Sequence, residues 1–549
     1  MRNILIRGRQ KLHSSSPKYF RPFTSARGPS GNAEPNRDGL SHIEFSDTKV
    51  AFASKSAGEL LRAWLILYGC SFGSLVKRAD YLYNLSLSVF GSKLTHAVVE
   101  RTLFRHFCAG KDEQDIAQPI KRLESFGVGG ILDYAAEAKE EETDTIEEGK
   151  LPLKTTAQAR VHTYSSESKC DKNMEIFKHA VTAVHNVSPN GFAAVKLSAL
   201  GEPALLERMS VALTEIESFF GRLAASTPGS PTSLTFADFE RGWLKFFTSQ
   251  SSSEIRSQFD QVDLDKDGEI DIVDWMSRLS LRDLPKLVSD CKEQGPLFRA
   301  ALQGNELEMM ENLFRRVDEV CQLAANMKVR VMIDAEWTAI QPAIDSIVLE
   351  MQRKYNTPDI PHPVVFHTYQ TYLLGSHERV EQSLERSRRE RWKFGAKVVR
   401  GAYMVSERER ASRLGIPSPI WPSYEETQSN YHKTLGTLLA DQETEVMVAS
   451  HNEGSVKFVL QEMERQKKSH SQVYFGQLLG MADHLTFTLA AHQLQAYKYV
   501  PYGPVDEVMP YLIRRTQENS TLLGTPAVVT ERAMIFSELK RRLLGPYLK

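Results

Sequence analysis

Short apolar runs alternate with longer amphipathic stretches over most of the chain. Six runs lie at 330–337, 363–369, 396–403, 445–452, 472–479 and 496–502, and two earlier ones lie at 128–134 and 191–200. Their consecutive positions are apolar, which indicates strands buried on both faces of a parallel sheet. Nearly every gap is long enough for a helix, so the pattern predicts an α/β fold, a (βα)8 barrel. An open doubly wound sheet is the alternative, but no G-x-G-x-x-G follows a strand.

The same patterning divides the chain into parts. Residues 46–125 have apolar positions at helical spacing and predict an N-terminal helical region. Residues 126–201 contain the first part of the barrel, and residues 286–549 contain its remainder and the C-terminal helices. Between them, residues 202–285 predict a helical insert.

Residues 1–40 differ from the rest in charge. No acidic residue precedes Glu34, whereas arginines and serines are frequent there. This composition is typical of a mitochondrial presequence, with a disordered basic tail as the alternative. The chain as a whole has a net charge of −1, which favours no nucleic-acid partner. Residues 60–70 are apolar but too short to span a membrane, so only peripheral membrane contact is compatible with the sequence.

The five cysteines are scattered, and no pair has C-x-x-C spacing. We therefore expect reduced thiols rather than a disulfide framework or a zinc site.

Residues 263–274 read D-L-D-K-D-G-E-I-D-I-V-D and have the spacing of an EF-hand calcium loop. The predicted ligands are the carboxylates of Asp263, Asp265, Asp267 and Asp274 and the carbonyl of Glu269, with Asp271 acting through water. Asp274 stands where a glutamate is usual, and its shorter side chain predicts weaker Ca²⁺ affinity and a site that also accepts Mg²⁺. Upstream, residues 227–233 lack carboxylates. We therefore interpret 202–285 as an inserted EF-hand pair with one degenerate loop.

Polar side chains follow several of the predicted barrel strands. Lys196, Asp334, Tyr403, His451 and Tyr499 lie at or just after the carboxyl ends of apolar runs. Each alone could simply terminate a strand. Because the carboxyl ends of barrel strands form the active face, we expect these five side chains to share one rim.

A pair of arginines lies in the last predicted barrel helix. Glu518 follows Arg514 by four positions and Arg515 by three, so one carboxylate can brace both guanidiniums. Two such forks can hold a substrate carboxylate with paired, charge-assisted hydrogen bonds. A surface ion-pair cluster is the alternative.

Several motifs together resemble the proline dehydrogenase family. They are G-I-L-D-Y (130–134), K-L-S-A-L (196–200), D-A-E (334–336), V-R-G-A-Y (399–403), S-H-N (450–452), G-Q-L-L-G-M (476–481) and R-R-x-x-E-N (514–519). They occur in the family's order over about 128–520, and the presequence and EF-hand insert resemble its mitochondrial eukaryotic branch. The resemblance implies a barrel that holds FAD non-covalently and oxidises L-proline to 1-pyrroline-5-carboxylate. It further implies electron transfer to quinone at the matrix side of the mitochondrial inner membrane.

The resemblance also implies roles for individual residues. Arg514, Arg515 and Lys196 would bind the substrate carboxylate, with Glu518 as brace, and Tyr403, Leu478 and Tyr499 would wall the ring. Asp334 matches an active-site aspartate, as a base or as a brace for Lys196, and Lys397 matches a basic position near flavin N5. The implied flavin contacts are His367, Arg400, Gly401, Ala402, Ser450 and His451; relatives tend to carry an amide at the position of His367.

Other functions compete with this interpretation. A tyrosine at position 499 favours proline over hydroxyproline, because relatives that act on hydroxyproline carry a smaller residue there. A calcium-binding adaptor on an inactive barrel is a further alternative. So is a Schiff-base lyase with Lys196 as nucleophile, although paired arginines suggest an anion site nearby.

Overall fold

The computed structural model describes residues 39–73, 76, 78–134, 167–225, 232–248, 251–521 and 526–544. The predicted presequence up to residue 38 lies outside this described part. So does most of the degenerate loop at 227–233.

The strands of the described residues form a barrel and a small ribbon. They are β1 Val128–Tyr134, β2 Phe192–Val195, β3 Leu234–Thr235, β4 Glu269–Ile270, β5 Arg330–Ile333, β6 Val365–Gln370, β7 Gly395–Val399, β8 Glu445–Ala449, β9 Val473–Leu478 and β10 Gln495–Tyr502. Eight of these strands run parallel and close in the order β1, β10, β9, β8, β7, β6, β5, β2. β3 and β4 pair antiparallel outside the barrel. The predicted (βα)8 barrel is therefore confirmed.

Helices surround the barrel and extend from it. The first are α1 Thr48–Ala51, α2 Ala57–Gly69, α3 Ala79–Val99, α4 Arg105–Phe107, α5 Glu113–Ser125, α6 Glu167–Val187, α7 Pro203–Ala225, α8 Phe236–Phe246, α9 Ser252–Val262 and α10 Ile272–Arg278. They are followed by α11 Leu284–Ser289, α12 Pro296–Ala300, α13 Asn305–Met327, α14 Gln341–Tyr355, α15 Ser376–Glu390, α16 Met404–Leu414, α17 Tyr424–Ala440, α18 Glu453–Gln466, α19 Asp483–Ala491, α20 Met509–Thr521 and α21 Pro526–Leu544. Among the described residues, no helix combines the length and apolarity that a bilayer crossing needs.

Large side chains fill the barrel interior. They are Ile131, Phe192, Met332, Phe366, Met447, Tyr474 and Tyr497. The ring of Phe192 lies 5.3 Å from that of Phe366 and 5.3 Å from that of Tyr497, edge to face. These side chains close the interior of the barrel, and we call this layer the floor. Because strand side chains alternate between faces, residues two or four positions further along each strand point into the mouth above the floor.

The segment between β2 and β5 contains the calcium-like loop. α9, the loop, β4 and α10 follow one another, and β4 pairs with β3 just before α8. α7 contacts both this unit and the barrel: Trp275 Nε1 donates to the carbonyl of Ile216 at 2.8 Å, and Ala343 N of α14 donates to Ser210 Oγ at 3.1 Å. α7 therefore ties the calcium-like loop to the barrel wall.

Candidate active site

The period of two along the strands explains which side chains reach the mouth. Asp334 follows Met332 of the floor by two positions, and Tyr499 follows Tyr497 by two. Lys397 lies between Ala396 and Val398, which pack in the outer core, so it faces inward. Residues far apart in sequence therefore meet above the floor.

Asp334, Lys397 and Tyr499 form a contiguous group in this mouth. Lys397 Nζ lies 2.5 Å from Asp334 Oδ1, and the hydroxyl of Tyr499 donates to Asp334 Oδ2 at 3.0 Å. The ammonium also lies 5.3 Å from the centre of the Tyr499 ring. Burial, together with the charges of Asp133 and Asp334, raises the pKa of Tyr499, so its phenol stays protonated and donates. Both carboxylate oxygens of Asp334 are thus engaged.

Lys196 lies on the same rim, close to a buried glutamate. Glu336 is 1% exposed and accepts hydrogen bonds from Ser198 N at 3.0 Å and Ser198 Oγ at 2.5 Å. Burial raises the pKa of Glu336, while the nearby charge of Lys196 opposes that rise. Lys196 therefore contributes positive charge to the mouth.

The two arginines come from α20, which packs next to the mouth. Arg515 is 8% exposed, and its guanidinium lies 4.9 Å from the centre of the Tyr511 ring. Arg514 is half-buried one position earlier. The side chain of Glu518 lies outside the described part of the chain, so its bracing role stays a prediction.

His451 binds the last residue of β9. Leu478 N donates to His451 Nε2 at 3.0 Å. Burial lowers the pKa of His451 to about 3, and the charges of Lys498, Arg515 and Arg400 add to that effect. The imidazole is therefore neutral, with its proton on Nδ1. Leu478 is half-buried and packs in the same apolar cluster as α20.

A second polar cluster surrounds Arg400 at the carboxyl end of β7. Its Nη1 donates to Ser450 Oγ at 2.9 Å and its Nη2 to Ser455 Oγ at 2.7 Å. The guanidinium also lies 4.3 Å from the centre of the Tyr431 ring. These contacts hold Arg400 in one orientation beside Ser450.

The backbone after Arg400 needs a glycine. Gly401 has a φ of 147°, and a Cβ built there would overlap the ring of Tyr372. Ala402 N donates to Gln370 Oε1 at 3.4 Å. Tyr403 is half-buried, and its ring centre lies 6.4 Å from that of Trp337. A side chain at position 401 would therefore collide with Tyr372 and would strain the backbone.

The expected flavin contact of His367 is wrong. Its side chain points outward from β6 and is 0% exposed, with Nε2 3.0 Å from Asp345 Oδ1 on α14. The reason is strand alternation: Phe366, one position earlier, is in the floor. Gln370 instead points into the mouth, where its Nε2 donates to the carbonyl of Glu336 at 2.6 Å.

Sequence reasoning missed three polar residues of this region. Gln370 and Glu336 are buried at the rim, and a strict period of two along F-H-T-Y-Q would have identified Gln370. Lys498 is 0% exposed and lies 2.9 Å from Asp483 Oδ1, and it donates to the carbonyl of Leu478 at 3.2 Å. No sequence pattern marks Lys498, because it points out of the barrel between partners that only the fold assembles.

The donor set on the β7–β8 side fits a flavin nucleotide. Lys397 and Arg400 supply positive charge, Gly401 allows close backbone approach, and Nδ1 of His451 carries a proton. This combination suits an anionic cofactor whose ring nitrogens and oxygens accept hydrogen bonds.

The calcium-like loop has two halves with different partners. Single carboxylate oxygens of Asp263, Asp265 and Asp267 lie within 4.8 Å of one another. Arg389 of α15 reaches the other half, with Nη1 2.9 Å from Asp274 Oδ1 and Nη2 2.7 Å from Asp271 Oδ2.

The same guanidinium limits how the loop fits a metal ion. Arg389 Nε also lies 3.2 Å from Asp265 Oδ2, so the arginine contacts predicted positions 3, 9 and 12. Glu269, whose carbonyl is a predicted ligand, uses its side chain to accept a hydrogen bond from Ser233. The front carboxylates fit a cation, whereas the carboxylate at position 12 is already paired.

Comparisons with known proteins identify the family of this chain. The family model of proline dehydrogenase matches residues 116–525. Mitochondrial proline dehydrogenase 1 of Homo sapiens is 38% identical over 93% of this chain and 92% of its own length. The Drosophila melanogaster protein of the same name is 35% identical over 94% of this chain and 83% of its own length. Hydroxyproline dehydrogenase of Rattus norvegicus is 28% identical over 94% of this chain and 97% of its own length.

A solved structure shares the fold. Proline utilization A from Bdellovibrio bacteriovorus matches with a TM-score of 0.52 and 15% identity. The match covers 88% of this chain but only 38% of that longer one.

Proposed function

This chain belongs to the proline dehydrogenase family of oxidoreductases, and from that premise we propose that it oxidises L-proline to 1-pyrroline-5-carboxylate with FAD as cofactor. The observation that carries the proposal is the contact of Asp334 with both Lys397 and Tyr499 in the barrel mouth. FAD bound there supplies the hydride acceptor for C5 of proline. The ring nitrogen loses a proton as the C=N bond forms.

The arginines and Lys196 bind the substrate carboxylate in this proposal. Arg514 and Arg515 are consecutive residues of α20, and Lys196 would add a third positive charge. Charge-assisted bonds to the carboxylate fix the ring at one position, and such positioning lowers the barrier by removing unproductive orientations. The pocket around the proline ring is lined by Tyr403, Leu478 and Tyr499, which exclude water.

We assign Asp334 a positioning role. Its Oδ1 lies against Lys397 and its Oδ2 accepts from Tyr499, so it orients both groups. Lys397 would then present positive charge to a bound flavin, where such charge favours the reduced cofactor. His451 and Arg400 orient the cofactor through Nδ1–H and the guanidinium, together with Gly401, Ala402 and Ser450.

Tyr499 makes L-proline the expected substrate rather than hydroxyproline. Its ring occupies space in the mouth, and its hydroxyl donates to Asp334, which fixes the ring there. Less room is therefore left for a substituent on the substrate ring. The proline-named relatives also share more identity with this chain than the hydroxyproline-named one does, 38% against 28%.

The relatives support a mitochondrial location. Their names place proline dehydrogenase 1 in mitochondria, and residues 1–40 have the composition of a presequence. We propose mitochondrial import, quinone as acceptor, and peripheral contact with the matrix side of the inner membrane. Ca²⁺ binding is proposed only at the front of the loop, at Asp263, Asp265 and Asp267, in competition with Arg389 for Asp265.

One experiment tests the proposal directly. The purified protein is examined by visible spectroscopy and titrated anaerobically with L-proline and then with hydroxyproline. We expect a flavin band that L-proline bleaches. A flavin band that bleaches only with hydroxyproline would overturn the substrate assignment, and a colourless protein that FAD cannot reconstitute would overturn the function.

A further inference from the structure

The helix α3 is a hairpin rather than a straight rod. Gly91 has a φ of 74° and interrupts it. Tyr83 OH lies 3.0 Å from His96 Nε2, and Thr95 Oγ1 donates to the carbonyl of Ser86 at 3.0 Å. In a straight helix, positions 83 and 96 would be roughly 20 Å apart. The chain therefore turns back at Gly91, and we call residues 79–99 the apolar hairpin.

The apolar hairpin exposes apolar side chains at its tip and along both arms. Val89 is 62% exposed and Phe90 is 63% exposed, and a Cβ on Gly91 would meet no atom within 4 Å. The exposed apolar residues are Tyr81, Leu82, Leu85, Val89, Phe90, Leu94 and Val98. A helix surrounded by water normally buries its apolar positions, so this patch indicates a binding surface.

The base of the apolar hairpin is anchored next to the candidate active site. Ala79 and Tyr83 pack against a buried cluster that contains Tyr511 and Met509 of α20. Leu478 of the barrel mouth packs against the same cluster. The hairpin therefore projects from the wall that also carries the arginines.

Its charge is suited to an anionic surface. Residues 81–99 contain no aspartate or glutamate, and Lys93 is cationic. Arg78, Arg101 and Arg105 flank the hairpin and are exposed. Asp80 lies at its base as well, and Glu100 there is paired with Lys111 at 2.9 Å. The charge over residues 78–105 is thus positive on balance, with the arginines at the base of the hairpin and Lys93 two positions from Gly91.

We propose that the apolar hairpin inserts its tip into the interface of an anionic phospholipid bilayer. Lipid can cover a protruding tip and both arms at once, and anionic headgroups complement the flanking arginines. A second copy of the chain would bring like charges together and would cover only one face. The role of this contact rests on the proposed function, because docking here brings the barrel mouth close to membrane quinone. The affinity of the hairpin for lipid does not depend on that function.

Vesicle binding of the full chain tests this inference. Vesicles of phosphatidylcholine alone and of phosphatidylcholine mixed with cardiolipin are sedimented with the wild type and with Val89→Asp and Phe90→Asp. Val211→Asp is the matched control, because Val211 is 47% exposed on α7, far from the hairpin in sequence. A charge at the tip should weaken binding to cardiolipin vesicles by about tenfold or more, and the control should bind like the wild type.

Parallel assays separate this inference from the proposed function. Proline oxidation with a water-soluble acceptor should be equal in all variants, whereas oxidation with quinone in vesicles should fall for the tip variants. The inference would be overturned if the wild type does not bind vesicles, or if the tip variants bind them as well as the wild type does. It would also be overturned if the tip substitutions convert a dimer into a monomer while vesicle binding stays unchanged. Absence of proline oxidation in every sample would instead refute the proposed function, while the vesicle result would stand.

Discussion

Nζ of Lys397 lies 2.5 Å from a carboxylate oxygen of Asp334, although the two residues are 63 positions apart and β6 separates their strands. The pair spans one side of the barrel mouth, and Tyr499 closes it from β10. A charge pair in this place orients a cation toward the mouth. Substitution of Asp334 therefore tests the proposed chemistry directly.

Asp334→Asn should lower kcat for proline oxidation by about 10²-fold, because an amide no longer holds the ammonium of Lys397 by charge. Flavin content and melting temperature should change little. Turnover is measured with a soluble acceptor, and Asp345→Asn on α14, which pairs with His367 outside the barrel mouth, serves as the control. Unchanged turnover in Asp334→Asn would refute the positioning role.

Substitutions at Tyr499 should change substrate choice. Tyr499→Ser should raise KM for L-proline by about tenfold or more and improve turnover of hydroxyproline, because the ring wall is removed. Tyr499→Phe keeps the wall and loses only the hydrogen bond to Asp334. It should therefore keep its preference for proline, and loss of that preference in Tyr499→Phe would contradict a steric cause. The measurement is kcat/KM for both substrates.

The neutral His451 should make stability depend on pH. Its pKa in the folded protein is about 3, below the value of about 6.5 in an unfolded chain. The unfolded chain binds more protons between these values, so the stabilisation is complete above about pH 6.5 and is lost as the pH falls toward 3.

His451→Gln should remove this contribution. As the pH is lowered from about 7 to about 4, the free energy of unfolding of His451→Gln should decrease less than that of the wild type. Denaturant titration measures both. The difference between the two proteins isolates His451 from His106, which also has a lowered pKa. Parallel curves would show that the imidazole is not buried as described.

Arg389→Gln should strengthen Ca²⁺ binding at the calcium-like loop. The substitution releases Asp265, Asp271 and Asp274 from the guanidinium, so their oxygens become available to a metal ion. It should also cost about 1–3 kcal/mol of stability, because the buried carboxylate of Asp274 loses its charged partner. Calorimetric Ca²⁺ titration measures the affinity.

Arg388→Gln is the matched control for Arg389. Arg388 is the adjacent arginine, but it pairs with Asp441 at 2.7 Å rather than with the loop. It should bind Ca²⁺ like the wild type. Equal Ca²⁺ affinity in Arg389→Gln and the wild type would show that the arginine does not compete with the metal.

Strand alternation explains both the successes and the failure of the sequence analysis. Lys196, Asp334 and Tyr499 were expected at the carboxyl ends of strands, and the structure places them on one rim. His367 was expected to contact the flavin, yet Phe366 occupies the floor, so strand alternation turns the side chain of His367 toward α14. Gln370, three positions later, therefore occupies the mouth.

Local sequence determined the barrel and the position of its chemistry, because apolar runs must be buried and their period decides which residues face inward. It also determined the loop spacing at 263–274 and the helical character of residues 79–99. Tertiary structure alone decided which cation meets which carboxylate: Lys397 contacts Asp334 closely, and Arg389 enters the calcium-like loop. It also decided that the apolar hairpin stands in solvent. Sequence spacing constrains neighbours along one element, whereas pairs across elements depend on register and helix packing, which no local pattern encodes.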